Sequence, residues 1–253
     1  MKLLLTSAGI RNGSIREALV ELLGQPIADC HAVCIPTTMY GHPWVGPGER
    51  AWEFIAGREP RTPMCELEWK SMGVLELTAL PSIQRDRWTA TVRAAHVLLV
   101  AGGDAGYLAH WVRESGLDRE LSTRDDLVWV GLSAGSMVAA PRIGSHFVGW
   151  RAPGGDPHGE APDAALGWVD FAIFPHLNHP DLPGNTREDA GRWAAEIGIP
   201  GYAIDDETAI VVDEGTVRVV SEGEWVAFPR PPVRADGLES ASGHRNTTCN
   251  PGS

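Results

Sequence analysis

The sequence predicts an α/β protein with a mostly parallel sheet covered by helices on both faces. Short apolar runs alternate with amphipathic segments over most of the chain, which is typical of strands joined by crossover helices. The segment 208–228 is instead interpreted as strands in hairpin order with a turn at Glu214-Gly215, so antiparallel strands are expected late. A length of 253 residues with 43% hydrophobic residues is sufficient for one large core.

The individual elements follow from the spacing of the apolar residues. Continuous apolar runs predict strands, and apolar residues three or four positions apart predict helices. The expected strands are 2–7, 31–37, 73–80, 96–104, 127–133 and 169–180, followed by the hairpin segment 208–228. The expected helices are 14–24, capped by Ser14 and ended by Gly24, then 48–57, 83–95, 105–117, one that begins at 134 and is ended by Pro141, and 186–198.

The chain is expected to form a single α/β domain over residues 1–233. The final segment, 234–253, is polar and rich in small residues, and such a composition predicts a disordered tail.

Charge and cysteine usage limit the classes of partner. A net charge of −12 argues against a nucleic-acid surface and against an anionic membrane face, because both require clustered Lys and Arg. No apolar run approaches the roughly 20 residues of a membrane span, and the amino-terminal run is too short for a secretory signal. The cysteines have no metal-finger spacing. We therefore expect a cytoplasmic protein with reduced thiols and without a nucleic-acid or membrane partner. The charge says little about a small substrate, and the sequence leaves the oligomeric state open.

Polar residues follow several of the expected strands. Ligands of open α/β sheets bind at the carboxyl ends of the strands, and we expect these loops to converge there. The loops are AGGD (101–104), GLSAG (131–135) and PHLNHP (175–180), together with the acidic cluster IDDE (204–207).

The GLSAG segment has the pattern of a nucleophile elbow, in which a serine stands on a sharp turn between a strand and a helix. The pattern alone is weak, but an apolar run precedes Ser133 and a helical segment follows it. The alternative is an ordinary glycine-rich turn. In the catalytic interpretation the N–H group of Ala134 points to the place where an oxyanion forms.

A serine nucleophile needs a base, and the base needs an orienting carboxylate. His176 is the best-placed base because it directly follows an apolar run, and His179 is the rival. Asp205, Asp206 and Glu207 are the candidate acids, although acidic residues before a hairpin are often only turn formers. His176, His179 and Asp181 could alternatively bind a metal ion; we expect neither a metal nor another cofactor, because the residues lack the pattern of a helical zinc motif.

The ordered set VAGGDAGYL, GLSAGSMVAAP, FPHLNHP, NTRED and AIDDETAIVV resembles dipeptidase E, the α-aspartyl dipeptidase family of serine peptidases that includes cyanophycinase. The resemblance spans about residues 2–228. It implies a flavodoxin-like three-layer sandwich of the class I glutamine-amidotransferase type.

The resemblance also implies roles for individual residues. Ser133 matches the nucleophile, His176 the base and Asp206 the acid, where the first-characterised dipeptidases have Glu. Gly103 matches the second oxyanion donor beside Ala134. Arg187 matches the arginine that holds the aspartate side chain of the substrate, although the loop from the histidine to this arginine is a few residues shorter here.

The sequence as a whole predicts a serine peptidase that hydrolyses short peptides, foremost dipeptides with an amino-terminal aspartate, through an acyl-enzyme. The alternatives are a cyanophycinase-like hydrolase of aspartyl polymers and a non-catalytic binding protein on the same fold. The free α-amino group of a dipeptide needs an acidic partner, for which Asp104 is one candidate. A glutamine amidotransferase is disfavoured because position 133 is serine rather than cysteine.

Overall fold

The computed structural model describes residues 1–43, 48–58, 62–152 and 161–230. The predicted tail 234–253 and the predicted domain end at 233 lie outside the described residues, and so does Cys249.

A seven-stranded sheet forms the centre of the protein, in the order β3-β2-β4-β5-β1-β8-β9. The strands from β3 to β1 in this order are parallel, whereas β8 and β9 are antiparallel to their neighbours. Its strands are β1 (Lys2–Thr6), β2 (His31–Ile35), β3 (Ser71–Val74), β4 (Val97–Val100), β5 (Val128–Leu132), β8 (Thr208–Asp213) and β9 (Thr216–Ser221). The turn between β8 and β9 lies at Glu214-Gly215, as predicted, and both residues have positive φ, which suits a tight hairpin.

A second sheet has three strands, hydrogen-bonded in the order β10-β7-β6. Its strands are β6 (Ala172–Phe174), β7 (Gly201–Ile204) and β10 (Trp225–Phe228). The sequence interpretation did not identify β7, and it placed residues 225–228 in the same hairpin as β8 and β9. The structure corrects this point, because β10 pairs with β7 rather than with β9.

Helices cover both faces of the central sheet. Leu4 of β1 packs into a cluster with α1 and α2, whereas Leu3 and Leu5 pack on the other face with α3, α4 and α5, as the period-two alternation of a strand requires. The small sheet packs against α7. The helices are α1 (Gly13–Leu23), α2 (Glu49–Ile55), α3 (Arg85–Ala94), α4 (Ala105–Glu114), α5 (Leu117–Leu121), α6 (Ala134–Met137) and α7 (Arg187–Ile197). The predicted α/β class with late antiparallel strands is confirmed, and the layers are consistent with a flavodoxin-like fold.

Several predicted boundaries are corrected by local chemistry. The side chain of Asn12, not Ser14, caps α1 by accepting a hydrogen bond from the N–H of Ile15. The predicted strand 73–80 is β3 only up to Val74, and residues 77–82 form a 3₁₀ helix that includes Pro81. In the described ranges, no helix has the length and apolar character needed to cross a membrane.

Helix α7 offers a direct test of the fold. Gly191 lies in its interior with no neighbouring atom within 4 Å of an added Cβ. We expect Gly191→Ala to raise the free energy of unfolding by about 0.5–1 kcal/mol, because alanine loses less backbone entropy in a helix. Gly198 is the contrasting position, since it ends α7 at φ 68°. Gly198→Ala should lower the same free energy in urea titrations, and the opposite order of the two variants would contradict the assigned helix end.

Candidate active site

Ser133 occupies a sharp turn between β5 and α6, with φ 49° and ψ −107°. This conformation is strained for a residue with a side chain, and such strain persists only where the surroundings enforce it. The flanking glycines leave room for the turn. A Cβ at Gly131 would lie 2.4 Å from the carbonyl oxygen of Gly135, and a Cβ at Gly135 would lie 2.5 Å from that of Val100. The local geometry is therefore that of a nucleophile elbow.

Buried hydrogen bonds hold this turn in place. The indole N–H of Trp129 donates to the carbonyl oxygen of Gly135 at 2.8 Å. The backbone N–H of Ser133 donates to the carbonyl oxygen of Thr6, at the end of β1, at 2.9 Å. The hydroxyl of Ser136 donates to the same oxygen at 2.8 Å. These hydrogen bonds join the turn to β1 and to β5 itself.

The AGGD loop lies directly against the serine. A Cβ at Gly102 would lie 3.4 Å from the Cβ of Ser133. Gly103 has φ 141°, and a Cβ there would lie 2.3 Å from the carbonyl oxygen of Thr38, so only glycine fits. Among the described residues, no acceptor takes the backbone N–H of Gly103 or of Ala134. Both donors are thus available to a ligand.

His176 follows β6 and adopts φ 57°, a left-handed conformation that is uncommon for residues other than glycine. Three hydrogen bonds fix this loop. The side-chain amide of Asn185 donates to the carbonyl oxygen of Pro175 at 2.8 Å. The N–H of His176 donates to the hydroxyl of Ser7 at 3.1 Å, and the N–H of Leu177 donates to the carbonyl oxygen of Ile204 at 3.0 Å.

Asp206 is the acid that contacts the histidine. Its Oδ1 atom lies 2.7 Å from Nδ1 of His176. Because a carboxylate can only accept, Nδ1 carries the proton in this network. The second ring nitrogen, Nε2, is then the atom left to receive a proton.

The two acidic neighbours of Asp206 have other partners. Asp205 accepts hydrogen bonds from the N–H of Glu207 at 3.1 Å and from the hydroxyl of Thr208 at 2.6 Å, so it forms the turn before β8. Glu207 forms an ion pair with Arg11, whose Nε lies 3.0 Å from Oε1.

The pKa of Asp206 is lowered by its surroundings. Burial is the largest single influence and acts to raise the pKa, but the hydrogen bond from His176 and the charges of His176, His179 and Arg11 together outweigh it. Nε2 of His179 lies 3.6 Å from Oδ2 of this carboxylate, and an Arg11 nitrogen lies 3.8 Å from the same atom. Asp206 is therefore held in its ionised form.

The end of β1 connects the serine with the histidine. Thr6 accepts from the N–H of Ser133, and the next residue, Ser7, accepts from the N–H of His176. The two backbones are thus anchored one residue apart on a single strand end. Within the described part of the chain, the side chain of Ser133 forms no hydrogen bond, either to His176 or to another residue.

A cavity of about 350 Å³ lies beside the histidine and the acid. Most of its wall is apolar, and the rest is formed by arginine, aspartate and histidine side chains. Such a combination is typical of small-molecule sites. Its lining residues are Ala8, Arg11, Met39, Arg50, Phe54, Thr62, Leu132, His176, His179, Asp181, Leu182 and Asp206. Met39 belongs to the 3₁₀ helix Thr37–Gly41, which follows β2.

Two predicted binding residues lie elsewhere. Arg187 is exposed on the first turn of α7 and does not line this cavity. Asp104 is buried and caps α4, because its carboxylate accepts from the N–H groups of Tyr107 and Trp150 at 2.8 Å and 2.7 Å. The structure thus gives Asp104 the role of capping the first turn of α4.

Two of the residues considered for a metal site, His179 and Asp181, contact each other. Nδ1 of His179 accepts a hydrogen bond from the N–H of Asp181 at 3.1 Å. In the ranges that the structure describes, no group of three or more His, Cys, Asp or Glu side chains is arranged to hold a metal ion.

Sequence reasoning missed Ser7, Arg11 and Arg50. The segment SAGIRN (7–12) follows β1, at the same edge of the sheet as the other polar loops. Its place directly after a strand was the signal that could have identified Ser7 and Arg11. Arg50 lies one helical turn before the buried Phe54 on α2, a spacing that places both on one face.

The lowered pKa of Asp206 predicts a pH-dependent contribution to stability. A carboxyl whose folded pKa lies below its ordinary value of 3.8 stabilises the fold above that value, and this contribution is lost as the pH falls through the folded pKa. The free energy of unfolding of the natural protein relative to Asp206→Asn should therefore be larger at about pH 5.5 than at about pH 3 in urea titrations. An unchanged difference between the two pH values would contradict the assigned contacts.

The chain is similar to solved peptidase structures and matches the model of a peptidase family. A solved peptidase from an acI-B1 Actinobacterium is similar over 91% of each chain, with a TM-score of 0.64 and 19% identity. A protein from Listeria monocytogenes EGD-e, provisionally named peptidase E, is similar over 88% of this chain and 98% of its own, with a TM-score of 0.57 and 19% identity. The comparison with curated proteins gives no match. The model of peptidase family S51 matches residues 65–220, more than half of the chain, and the protein therefore belongs to peptidase family S51.

Proposed function

We propose that the protein is a serine peptidase of short peptides in which Ser133 is the nucleophile, His176 the base and Asp206 the orienting acid. The observation that carries this proposal is the 2.7 Å hydrogen bond between His176 and Asp206, anchored on the same strand end as the strained serine. Membership in family S51 supports peptidase activity. Dipeptides with an amino-terminal aspartate are the first substrates to test, on the strength of the resemblance.

The chemistry proceeds in two stages. Oγ of Ser133 attacks the carbonyl carbon of the scissile bond while Nε2 of His176 takes the hydroxyl proton. The C–N bond then breaks, and the imidazolium gives this proton to the leaving amine. A water molecule repeats the attack on the acyl-enzyme, with His176 again acting as base, and releases the serine. Asp206 keeps the imidazole in the required tautomer and stabilises its positive charge.

Backbone donors would stabilise the negative oxygen of each tetrahedral intermediate. The N–H groups of Gly103 and Ala134 flank Ser133 and have no acceptor among the described residues. Donors that are fixed before the reaction need no reorganisation, and each is worth on the order of 3 kcal/mol in comparable sites. The steric fit at Gly103 supports a fixed donor position.

The substrate side chain presents a choice between two arginines. The resemblance assigns its carboxylate to Arg187, which is exposed on α7. Arg50 instead lines the cavity beside His176, and no described carboxylate forms an ion pair with it. An arginine binds a carboxylate with two parallel hydrogen bonds, and either residue would select acidic peptides in this way.

Replacement of the serine is the first test. We expect the natural protein to hydrolyse members of a dipeptide panel and Ser133→Ala to lose kcat on the order of 10⁶-fold, because nucleophile and base act as one unit. Asp206→Asn should lose about 10⁴-fold, since the amide supports the wrong tautomer. Liquid chromatography of released amino acids measures both. Hydrolysis by Ser133→Ala at the natural rate would refute the proposal, and cleavage of only β-aspartyl-arginine polymer would favour the cyanophycinase-like alternative.

Substrate selectivity distinguishes the two arginines. Asp-Leu, Asn-Leu and Ala-Leu are compared for Arg187→Ala and Arg50→Ala, with Arg58→Ala as the control because Arg58 is exposed just beyond α2 and does not line the cavity. Loss of a charged hydrogen-bond donor should lower kcat/KM about 10- to 100-fold for Asp-Leu alone. The variant that shows this selective loss identifies the side-chain clamp. Equal losses on all three peptides would argue against a clamp at that residue.

A further inference from the structure

Ser7 forms a buried connection between the two sheets. It follows β1 of the central sheet and its side chain is fully buried. Its hydroxyl donates to the carbonyl oxygen of Ile204 at 2.9 Å and accepts from the N–H of His176 at 3.1 Å. Ile204 ends β7, and His176 lies two residues after the end of β6, so both partners are on segments of the small sheet or directly after it.

The two partners of the Ser7 hydroxyl are in the segments that carry the proposed base, His176, and the proposed acid, Asp206. Ile204 precedes Asp206 by two residues, and its carbonyl oxygen also accepts from the N–H of Leu177. A single hydroxyl therefore contacts the backbone of the histidine and the strand that leads to its carboxylate partner. Since a hydroxyl has one proton, its donation to Ile204 leaves the oxygen lone pairs for the N–H of His176.

The same strand end fixes the nucleophile. The carbonyl oxygen of Thr6 accepts from the N–H of Ser133 at 2.9 Å. The hydroxyl of Thr6 donates to the carbonyl oxygen of Gly131 at 2.8 Å. Thr6 thus anchors the turn with the serine, and Ser7 anchors the loop with the histidine, so a single peptide bond at the end of β1 joins the two anchors.

Backbone strain increases the importance of this contact. His176 has φ 57° and Ser133 has φ 49°, and each such residue costs of order 1–3 kcal/mol that neighbouring contacts must offset. Without the hydroxyl of Ser7, the N–H of His176 loses its acceptor. The loop can then relax towards an ordinary conformation and carry the imidazole away from the serine.

We propose that Ser7 is a positioning residue of the active site, which holds His176 and the strand before Asp206 in register with Ser133. This inference rests on the proposed serine peptidase function. The competing interpretation is that Ser7 only satisfies buried polar groups and contributes to stability alone.

The test compares Ser7→Ala with a matched control that removes a similar hydroxyl elsewhere. Thr37 is also fully buried, and its hydroxyl donates to Glu76 at 2.9 Å while accepting from the N–H of Leu77 at 3.0 Å. Thr37→Val removes the same kind of hydrogen-bond pair without contact to the histidine loop. Urea titrations measure the stability loss of each variant, so that activity is compared between variants of known stability.

The first readout is the covalent reaction of Ser133 with a small organophosphorus fluoride, followed by intact mass. The serine oxygen forms a bond to phosphorus, fluoride leaves and His176 takes the hydroxyl proton. We expect Ser7→Ala to react about 10- to 100-fold more slowly than the natural protein, the scale of a misplacement near 1 Å. Thr37→Val should react at the natural rate. On a hydrolysed dipeptide, kcat should fall while KM changes less than about twofold.

The second readout is the low-field proton resonance of the hydrogen bond between His176 and Asp206. It should be present in the natural protein and in Thr37→Val, absent in Asp206→Asn, and shifted or broadened in Ser7→Ala. If Ser7→Ala does not fold, Ser7→Cys replaces it in both readouts, because cysteine is similar in size but is a weaker donor. The covalent reaction of Ser133 should then also be slower in Ser7→Cys than in the natural protein.

The outcomes separate the two proposals. A natural protein that reacts no faster than Ser133→Ala would refute the proposed function, and the proton resonance would still test Ser7. A folded Ser7 variant with the natural reaction rate and an unchanged resonance would overturn the positioning role. Equal slowing of the Ser7 and Thr37 variants would do so as well, because general loosening would then explain the loss.

Discussion

The buried end of β1 is the constraint on which the candidate site depends. Two consecutive polar residues, Thr6 and Ser7, are fully buried there, and buried polar groups are costly unless every one has a partner. Each of them has one: Thr6 bonds the turn that carries Ser133, and Ser7 bonds the loop that carries His176. The need to satisfy these groups in the core thereby fixes segments that lie far apart in the sequence relative to one another.

The division into two sheets explains why such an anchor is needed. The serine belongs to the central sheet, whereas the histidine and the acid follow strands of the small sheet. The hydrogen bonds of a sheet fix register only among its own strands, so the relative position of the two sheets must come from packing and side chains. Phe171, Ile173 and Ile204 supply apolar packing to the main core, but apolar contacts are not directional. The hydroxyl of Ser7 supplies a directional contact at the same boundary.

The sequence identified what local chemistry dictates. The glycines around Ser133 are needed because an added Cβ would meet backbone oxygen atoms, and this requirement leaves a visible pattern. The small sheet left no such pattern, because β7 and β10 have only four residues each and are separated by the hairpin of β8 and β9. Ser7 could not be distinguished from any other small polar residue after a strand, because its role depends on Ile204 and His176, 197 and 169 positions away.

The choice among three consecutive acids shows how the fold completes the chemistry. Asp205 closes the turn with backbone and hydroxyl donors, and Glu207 pairs with Arg11, so Asp206 alone contacts His176. The N–H of Asp181 donates to Nδ1 of His179, which leaves the Nε2 proton of that ring on the side of Asp206. One carboxylate is thus surrounded by two imidazoles and a guanidinium. These groups orient a side chain that is one methylene shorter than glutamate, and they keep it ionised despite its burial.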